Sequence, residues 1–370
     1  MSRLLVLLPS PPVPADAGAR IRNAGLLSLL SEDHEVDTLV PKAPARSTLR
    51  RIADMAGSDL PDMAQRLWSP EFAADVAREL RRRRYDAVQA EGIEMARYLD
   101  VVPPARRVYD AHNAEFLLQR RLADSVSPLG RLYSRVQWRR LERFEREVVR
   151  GSRLSLAVSE HDANQLIALA GAPANVRVIP NAIDVSAYPF RPAPANSRPN
   201  LLFVGKLDFR PNAAALASFI REVLPRVPEA RFFAVGASPP AWLIDAGQHD
   251  DRVAVTGHVA DERPYFARCT ALVLPLRTGG GSRLKALVAM ASGVPIVSTR
   301  LGMEGLEAEP GTHYAQADST DEWVECLRRV HQDAALRQQL VCNARALVEQ
   351  RYTWAAMRDR LREAYAWLPR

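Results

Sequence analysis

The chain has 370 residues, a length that suggests two domains, and 47% of them are hydrophobic, enough for each half to bury a core. Its net charge is +7 with a pI near 9.6, an excess that suits an anionic ligand, an anionic membrane surface or nucleic acid. No apolar run reaches membrane-spanning length, and the cysteines Cys269, Cys326 and Cys342 lie too far apart for a metal site, so the expectation is a cytoplasmic protein, at most peripheral on the inner face of a membrane.

Residues 3–8 read as a strand, with a continuous Leu/Val run after Arg3, as expected of a strand covered on both faces of a parallel sheet. The run is too short for a secretory signal and ends at Pro9. A proline-rich loop carrying Gly18 leads to a helix over 19–31 and a second strand over 35–40. The loop lacks G-x-G-x-x-G, which argues against a dinucleotide site. Residues 42–84 are polar and helical in tendency; 87–90 and 107–109 read as short strands. The second of these runs into Asp110-Ala-His112-Asn113-Ala-Glu115. Ligands of open α/β sheets bind outside carboxyl ends of strands, which raises His112 above the usual structural histidine.

A long charged helix is expected over 130–150, with Tyr133, Leu141, Phe144 and Val148 on one face and a Glu142–Arg146 pair. Its arginines suit a solvated face, or contact with anionic lipid or an acidic substrate. Strands follow at 154–158 and 176–179, with Ser159 as N-cap of the helix between them. Residues 180–197 are proline-rich and read as the linker, with a hinge near 182–194.

The second half repeats the alternation. Strands are expected over 201–204, 231–235, 252–256 and 271–276, and helices over 212–224 and 264–269. Helix is expected again over 320–351 and 352–368, the latter with Trp354, Met357, Leu361, Tyr365 and Leu368 at helical spacing. Between strands at 271–276 and 296–298 stand three glycines and a helix over 283–292, ended by Gly293. Glycines before a helix let phosphates reach backbone N–H groups at the positive end of the dipole. Arg283 and Lys285 add two cations to the first turn, which an anion would offset. The loop is not a Walker A, because Leu284 precedes Lys285 and no Ser or Thr follows it.

These segments resemble the retaining GT-B glycosyltransferases of family 4. Val178-Ile179-Pro180-Asn181-Ala182-Ile183-Asp184 is similar to the family's junction segment, and Phe203-Val204-Gly205-Lys206-Leu207 to its strand exit. Val255-Thr256-Gly257-His258-Val259 resembles the base-binding turn, and Gly279 to Lys285 with Ala289 to Thr299 the signature of a glycine-rich subgroup. The resemblance implies an α/β GT-B fold, two doubly wound Rossmann-like domains facing a central cleft. Residues 1–185, completed by a helix over 352–370, would hold the acceptor; residues 186–351 would hold the nucleotide sugar.

The resemblance further implies transfer with retention and without metal or other cofactor. The absence of Asp-x-Asp from the chain agrees. The donor would be a nucleotide-diphosphate sugar, and the acceptor a glycan or lipid-linked group, in cell-surface polysaccharide synthesis. His112, Lys206 and Arg283 would be catalytic: His112 near the transferred sugar, the two cations stabilising the leaving diphosphate. Gly18, Gly257, Gly280, Gly281, Ser282, Lys285, Val288 and Glu304 would line the donor. Nucleic-acid binding is not expected, since the basic residues are not interleaved with aromatics.

Two positions depart from the family pattern. Val288 stands where a glutamate ordinarily binds the ribose, a loss worth roughly 1.5–3 kcal/mol, or ten- to a hundredfold in affinity. Asn212 stands where a second basic residue usually follows the strand exit. Three outcomes stay open: a weakened ribose contact, substitution by Glu304, or a GT-B nucleotide-sugar or partner-binding protein with little or no activity.

Overall fold

The computed structural model describes residues 1–14, 18–42, 57–123, 128–171, 173–192, 198–279 and 283–369. The chain forms two compact units: Met1–Ala182 with Met357–Arg370, and Ile183–Gly279 with Arg283–Ala356.

In the first unit the order is β1 (Arg3–Leu7), α1 (Gly18–Asp33), β2 (Glu35–Leu39), α2 (Asp62–Arg66), α3 (Pro70–Arg82), β3 (Ala87–Glu91) and α4 (Ile93–Ala96). There follow β4 (Arg107–Ala111), α5 (Glu115–Ala123), α6 (Pro128–Gly151), β5 (Leu154–Ala157), α7 (Glu160–Ala170) and β6 (Val176–Val178). The strands make one parallel sheet in the order β2-β1-β3-β4-β5-β6. Leu4 to Leu8 are fully buried, as the uninterrupted apolar run requires of a strand with both faces covered. Ser159 caps α7, accepting from the Asp162 N–H, and Gly171 closes it in the left-handed region at φ 61°.

The second unit runs β7 (Asn200–Val204), α8 (Arg210–Ser218), β8 (Arg231–Val235), α9 (Ala241–His249), β9 (Val253–Gly257), α10 (Arg263–Arg268) and β10 (Ala271–Leu274). It continues through α11 (Leu284–Ser292), β11 (Ile296–Ser298), β12 (Ala315–Gln316), α12 (Thr320–Gln332) and α13 (Ala334–Arg351). Its sheet is also parallel, ordered β12-β11-β10-β7-β8-β9. Phe203, Phe219, Phe232 and Trp323 are fully buried at the centre of its core. Helix α14 (Trp354–Ala364) comes last; from Met357 onward it belongs to the first unit. There Arg358 pairs with Glu32 at 2.7 Å and Arg362 with Asp33 at 2.7 Å, while Met357, Leu361 and Tyr365 are buried.

Several expectations are corrected. The helix expected over 320–351 is two, because Asp333 stops being helical and caps the second through the Leu336 N–H. The helix expected over 212–224 passes from α-helical through a π-turn at Phe219–Val223 into a 3-10 turn at Leu224–Arg226, where Pro225 withholds a donor. The final helix stops at Ala364, with Tyr365 and Leu368 buried from the turns beyond. Tyr133 is 41% exposed and does not share the buried face of α6 with Leu141 and Phe144. Helices α5 and α9 were not expected; both are short and weakly periodic. No helix of the described residues is long and apolar enough to cross a membrane.

Candidate functional site

In each sheet the chain reverses its direction of winding at one place, between β1 and β3 in the first and between β7 and β10 in the second. Ligands of doubly wound sheets bind outside the carboxyl ends of the strands at such switch points. Each unit places a cluster of ionisable side chains there.

In the first unit, Glu91 ends β3, and His112 directly follows β4, whose penultimate residue is Asp110. Arg22, reaching from α1, grips Asp110 with two hydrogen bonds, Nε to Oδ2 at 2.8 Å and Nη2 to Oδ1 at 2.6 Å. Its Nη1 donates to the Ile179 carbonyl at 2.7 Å. Both side chains are essentially without solvent exposure, so charge and partner are obligatory for each other. His112 Nε2 lies 3.2 Å from Glu91 Oε2 and 3.7 Å from Asp110 Oδ2. Gln89 also donates to Glu91, and Tyr365 donates in turn to Gln89. The Asn23 amide, its nitrogen turned to the carboxylate, donates to Glu91 Oε2 at 3.0 Å.

These contacts set the protonation states. Burial, then the charge of Asp110, pushes the Glu91 carboxyl up to about 7. Burial acts in the same direction on Asp110, but the Arg22 ion pair outweighs it and holds that carboxyl below its ordinary value. Burial opposes charge on His112, and Glu91 with Asp110 outweighs it, so the imidazole titrates above its ordinary value. Glu91, Asp110 and His112 offer one ligand atom each within 4.8 Å, a spacing a cation could use. Arg22 bound to both oxygens of Asp110 puts a positive charge against that position, so the donor set does not fit a cation.

Beside this cluster, Glu145 of α6 is fully buried and accepts from the Tyr109 hydroxyl at 3.0 Å and from the backbone N–H groups of Glu115 and Phe116 at 3.2 and 2.8 Å. It satisfies the opening turn of α5 from another helix. Burial raises it to about 8, and burial with the charge of Glu94 raises Glu115 to about 7.

In the second unit the switch point is built by glycine. Gly205 follows β7 at φ 146°, where a Cβ would come 2.7 Å from Lys285 Nζ and 3.3 Å from Asn212 Nδ2. Gly236 follows β8 so close that a Cβ would lie 1.8 Å from the Gly205 carbonyl oxygen. The half-buried Lys285 amine stands 4.2 Å from the centroid of the Phe203 ring, a cation–π distance. Burial, then Arg283, lowers its pKa to about 7, against the opposing charge of Glu262. Glu262 is itself raised by burial, with Lys285 opposing.

Arg283 is the N-cap of α11 and not a member of its first turn; it is 7% exposed and its Nη2 donates to the Leu301 carbonyl at 2.7 Å. It thereby ties the start of α11 to the turn Leu301–Met303, which Glu304 ends. Val288 is buried within α11. Asn212 Nδ2 donates to the Lys206 carbonyl at 2.8 Å. The Lys206 amine is 3.5 Å from Asp208, on a side chain 65% exposed. Gly257 adopts φ 70° with open space where a Cβ would be. Gly18 opens α1, while Gly280, Gly281 and Ser282 lie outside the described residues.

Within the second unit, then, Gly205, Asn212, Arg283 and Lys285 belong to one switch-point region, and the Lys206 side chain is directed to Asp208. In the first unit His112 stands with three residues that sequence reasoning passed over: Glu91, Asp110 and Arg22. The signal for Glu91 was present, a carboxylate at a strand's carboxyl end followed by glycine.

Residues 25–187 match the family described as Glycosyltransferase Family 4, and residues 198–333 match Glycosyl transferases group 1. Among curated protein sequences nothing matches significantly. Sucrose-phosphate synthase from Thermosynechococcus elongatus has a similar structure, with TM-score 0.76 at 16% identity over 99% of both chains. Anabaena HepE in complex with UDP-glucose gives 0.68 at 16% identity over 100% of both chains. WaaG, a glycosyltransferase involved in lipopolysaccharide biosynthesis, gives 0.69 at 15% identity over 98% of this chain and 99% of its own. The two parallel six-stranded sheets with flanking helices are the GT-B architecture of these structures.

Proposed function

We propose, for a chain that carries a family 4 glycosyltransferase domain followed by a group 1 glycosyltransferase domain, that it moves a sugar from a nucleoside-diphosphate sugar to a glycan or lipid-linked acceptor. Transfer proceeds with retention of configuration and without metal, in cell-surface polysaccharide synthesis. The observation that carries the reading is the Lys285 amine beside Gly205 and Phe203 at the switch point of the second sheet. A half-buried amine near neutrality gains an anionic partner at low cost, and a diphosphate supplies one. The HepE complex holds UDP-glucose, which makes uracil the first base to test.

In this reading the second unit holds the donor. Lys285, Lys206 and the start of α11 with Arg283 neutralise charge on the diphosphate as the bond to the sugar's anomeric carbon breaks. The acceptor oxygen bonds to that carbon on the same face, and its proton passes to the departing phosphate oxygen. The first unit holds the acceptor and contributes His112 toward the sugar. Gly257 leaves room for the base, and Glu304, on the turn tied to Arg283, takes the ribose in place of the missing glutamate.

Val288, buried in α11 where the family pattern carries a glutamate, motivates a second reading, a GT-B protein that binds a nucleotide sugar or partner without turnover. Thermal stabilisation by a panel of nucleoside diphosphates and their sugars, with EDTA present, separates a donor binder from a non-binder. Saturation at a hundred times Kd stabilises by about 2.7 kcal/mol. Stabilisation by one base class supports donor binding, and sugar release or transfer from that donor then decides between enzyme and binder. No stabilisation by any nucleotide at millimolar concentration sinks donor binding, and with it the transferase reading, and leaves the partner-binding protein.

A further inference from the structure

His112 is held from one side only. Its Nε2 faces Glu91 and Asp110, while Nδ1 makes no hydrogen bond among the described residues and the side chain stays 18% exposed. The Nδ1 side of the ring runs past Gly92, where a Cβ would come 3.4 Å from Nδ1 and 3.3 Å from Glu94 Oε2. Gly92 also adopts φ 78°, so a side chain is excluded there by conformation as well as by space.

Glu91 is not free to turn away from the ring. Gln89 and Asn23 donate to it from two further directions, and Tyr365 fixes Gln89. Both oxygens of Asp110, the other carboxylate within reach, already accept from Arg22. A histidine whose Nε2 is committed to a carboxylate has a defined tautomer and a defined outward nitrogen. When the ring is neutral, Nε2 carries the proton and Nδ1 accepts; when it is charged, Nδ1 donates.

We propose that Glu91 is the positioning residue of His112, fixing the imidazole through Nε2 so that Nδ1, past the bare face of Gly92, meets a hydroxyl of the transferred sugar. The inference rests on the transferase reading only for the identity of that ligand. The groups that face His112 are Glu91 on β3, Asp110 on β4, Arg22 on α1, Glu94 on α4 and Glu115 on α5, with Tyr365 behind Glu91 and bonded to Gln89. The carboxylates raise its midpoint, Arg22 lowers it, and Glu91 is the one in hydrogen-bond contact.

The test is nitrogen-15 NMR of histidine-labelled protein, with His112 assigned by His112→Gln. In the unaltered protein His112 should titrate above 6.5, with a second inflection near 7 from Glu91 and with Nε2 protonated in the neutral form. In Glu91→Gln the midpoint should fall by about one pH unit or more, with partial recovery in Glu91→Asp. A midpoint at or below 6.5 in the unaltered protein, or one unmoved in a folded Glu91→Gln protein, overturns the pairing; the first of these decides even if the variant does not fold. Addition of UDP-glucose should move the Nδ1 resonance. UDP-glucose that stabilises the protein and leaves Nδ1 unmoved overturns the sugar-facing role. If no nucleotide sugar binds at all, the transferase reading fails, while the titration still decides the pairing.

Discussion

The Lys285 amine lies 4.2 Å from the centre of the Phe203 ring, on the bare side of Gly205. One residue comes from the helix after the glycine loop and the other from the strand at the middle of the sheet. Their meeting places a cation where a strand ends and a helix begins, and where burial penalises it.

Lys285→Met should therefore stabilise the unliganded second unit at pH 7, by roughly 1 kcal/mol, and lower affinity for a nucleoside diphosphate tenfold or more. A lysine whose folded pKa lies below its unfolded value makes the native state bind fewer protons between about 7 and 10.5, so its penalty shrinks as pH rises through that window. The variant's advantage should accordingly be smaller at pH 9.5 than at pH 7 in urea titrations. Calorimetry in buffers of different ionisation enthalpy should show proton uptake when the diphosphate binds near pH 7.5. An unaltered affinity in the variant would remove Lys285 from the donor site.

Glu145, Glu115 and Glu91 all have folded pKa values raised to about 7 or 8. A raised carboxyl keeps its proton in the native state after the unfolded chain has lost it, so the native state binds more protons between about 4.5 and 8. Stability of the first unit should fall as pH rises across that range. Glu145→Gln keeps an acceptor for the α5 amides without the charge. It should gain about 1 kcal/mol over the unaltered protein at pH 8 and little at pH 5, read as the shift in unfolding midpoint. Equal effects at both values would mean that Glu145 is not protonated in the fold.

Gly236 and Gly257 end neighbouring strands and should respond differently to alanine. At Gly236 a methyl group meets the Gly205 carbonyl oxygen at 1.8 Å, so the strand exits must part, at a cost of about 3 kcal/mol or more. At Gly257 the space is open and only φ 70° is penalised, at about 1–2 kcal/mol. Chemical denaturation of the two variants should rank them in that order. Gly236→Ala should also weaken nucleotide binding through displacement of Gly205.

Charge reversal at Arg139, Arg140 and Arg143 tests peripheral membrane contact. Arg139 and Arg143 are exposed on α6, near the exposed Leu132 and Tyr133. If this surface meets anionic lipid, the triple variant should lose at least about a hundredfold in partitioning to phosphatidylserine vesicles, from about 1 kcal/mol per basic residue removed. Unchanged partitioning would remove the membrane from the functional picture.

The sheets were legible in the sequence because β1, β5, β7 and β10 are apolar runs bounded by polar or proline-containing segments, and a parallel sheet buries both faces. Ser159 and Gly293 marked their helix ends through chemistry that acts within a few residues. His112 and Lys285 could be singled out because each stands at an element boundary. Arg22, Glu91 and Asp110 could not be grouped beforehand: the Arg22–Asp110 contact spans 88 positions, and a buried ion pair leaves no periodicity. Glu145 looked like one more charge on a charged helix, since sequence does not show which turn meets the bare amides of α5. Lys206 could be singled out by its place after β7, and the Asp208 carboxylate 3.5 Å from its exposed amine is a local contact two residues on.

The last helix supplies pieces of the first unit after more than 170 intervening residues have been made, from Ile183 to Ala356. Arg358, Arg362 and Tyr365 reach back to Glu32, Asp33 and Gln89. During translation the downstream unit is therefore fully synthesised while the upstream one still lacks these partners. The order of completion on the ribosome runs opposite to the order of synthesis. The carboxylate partner of His112 acquires its final hydrogen-bonded support only when the C-terminal segment has left the exit tunnel.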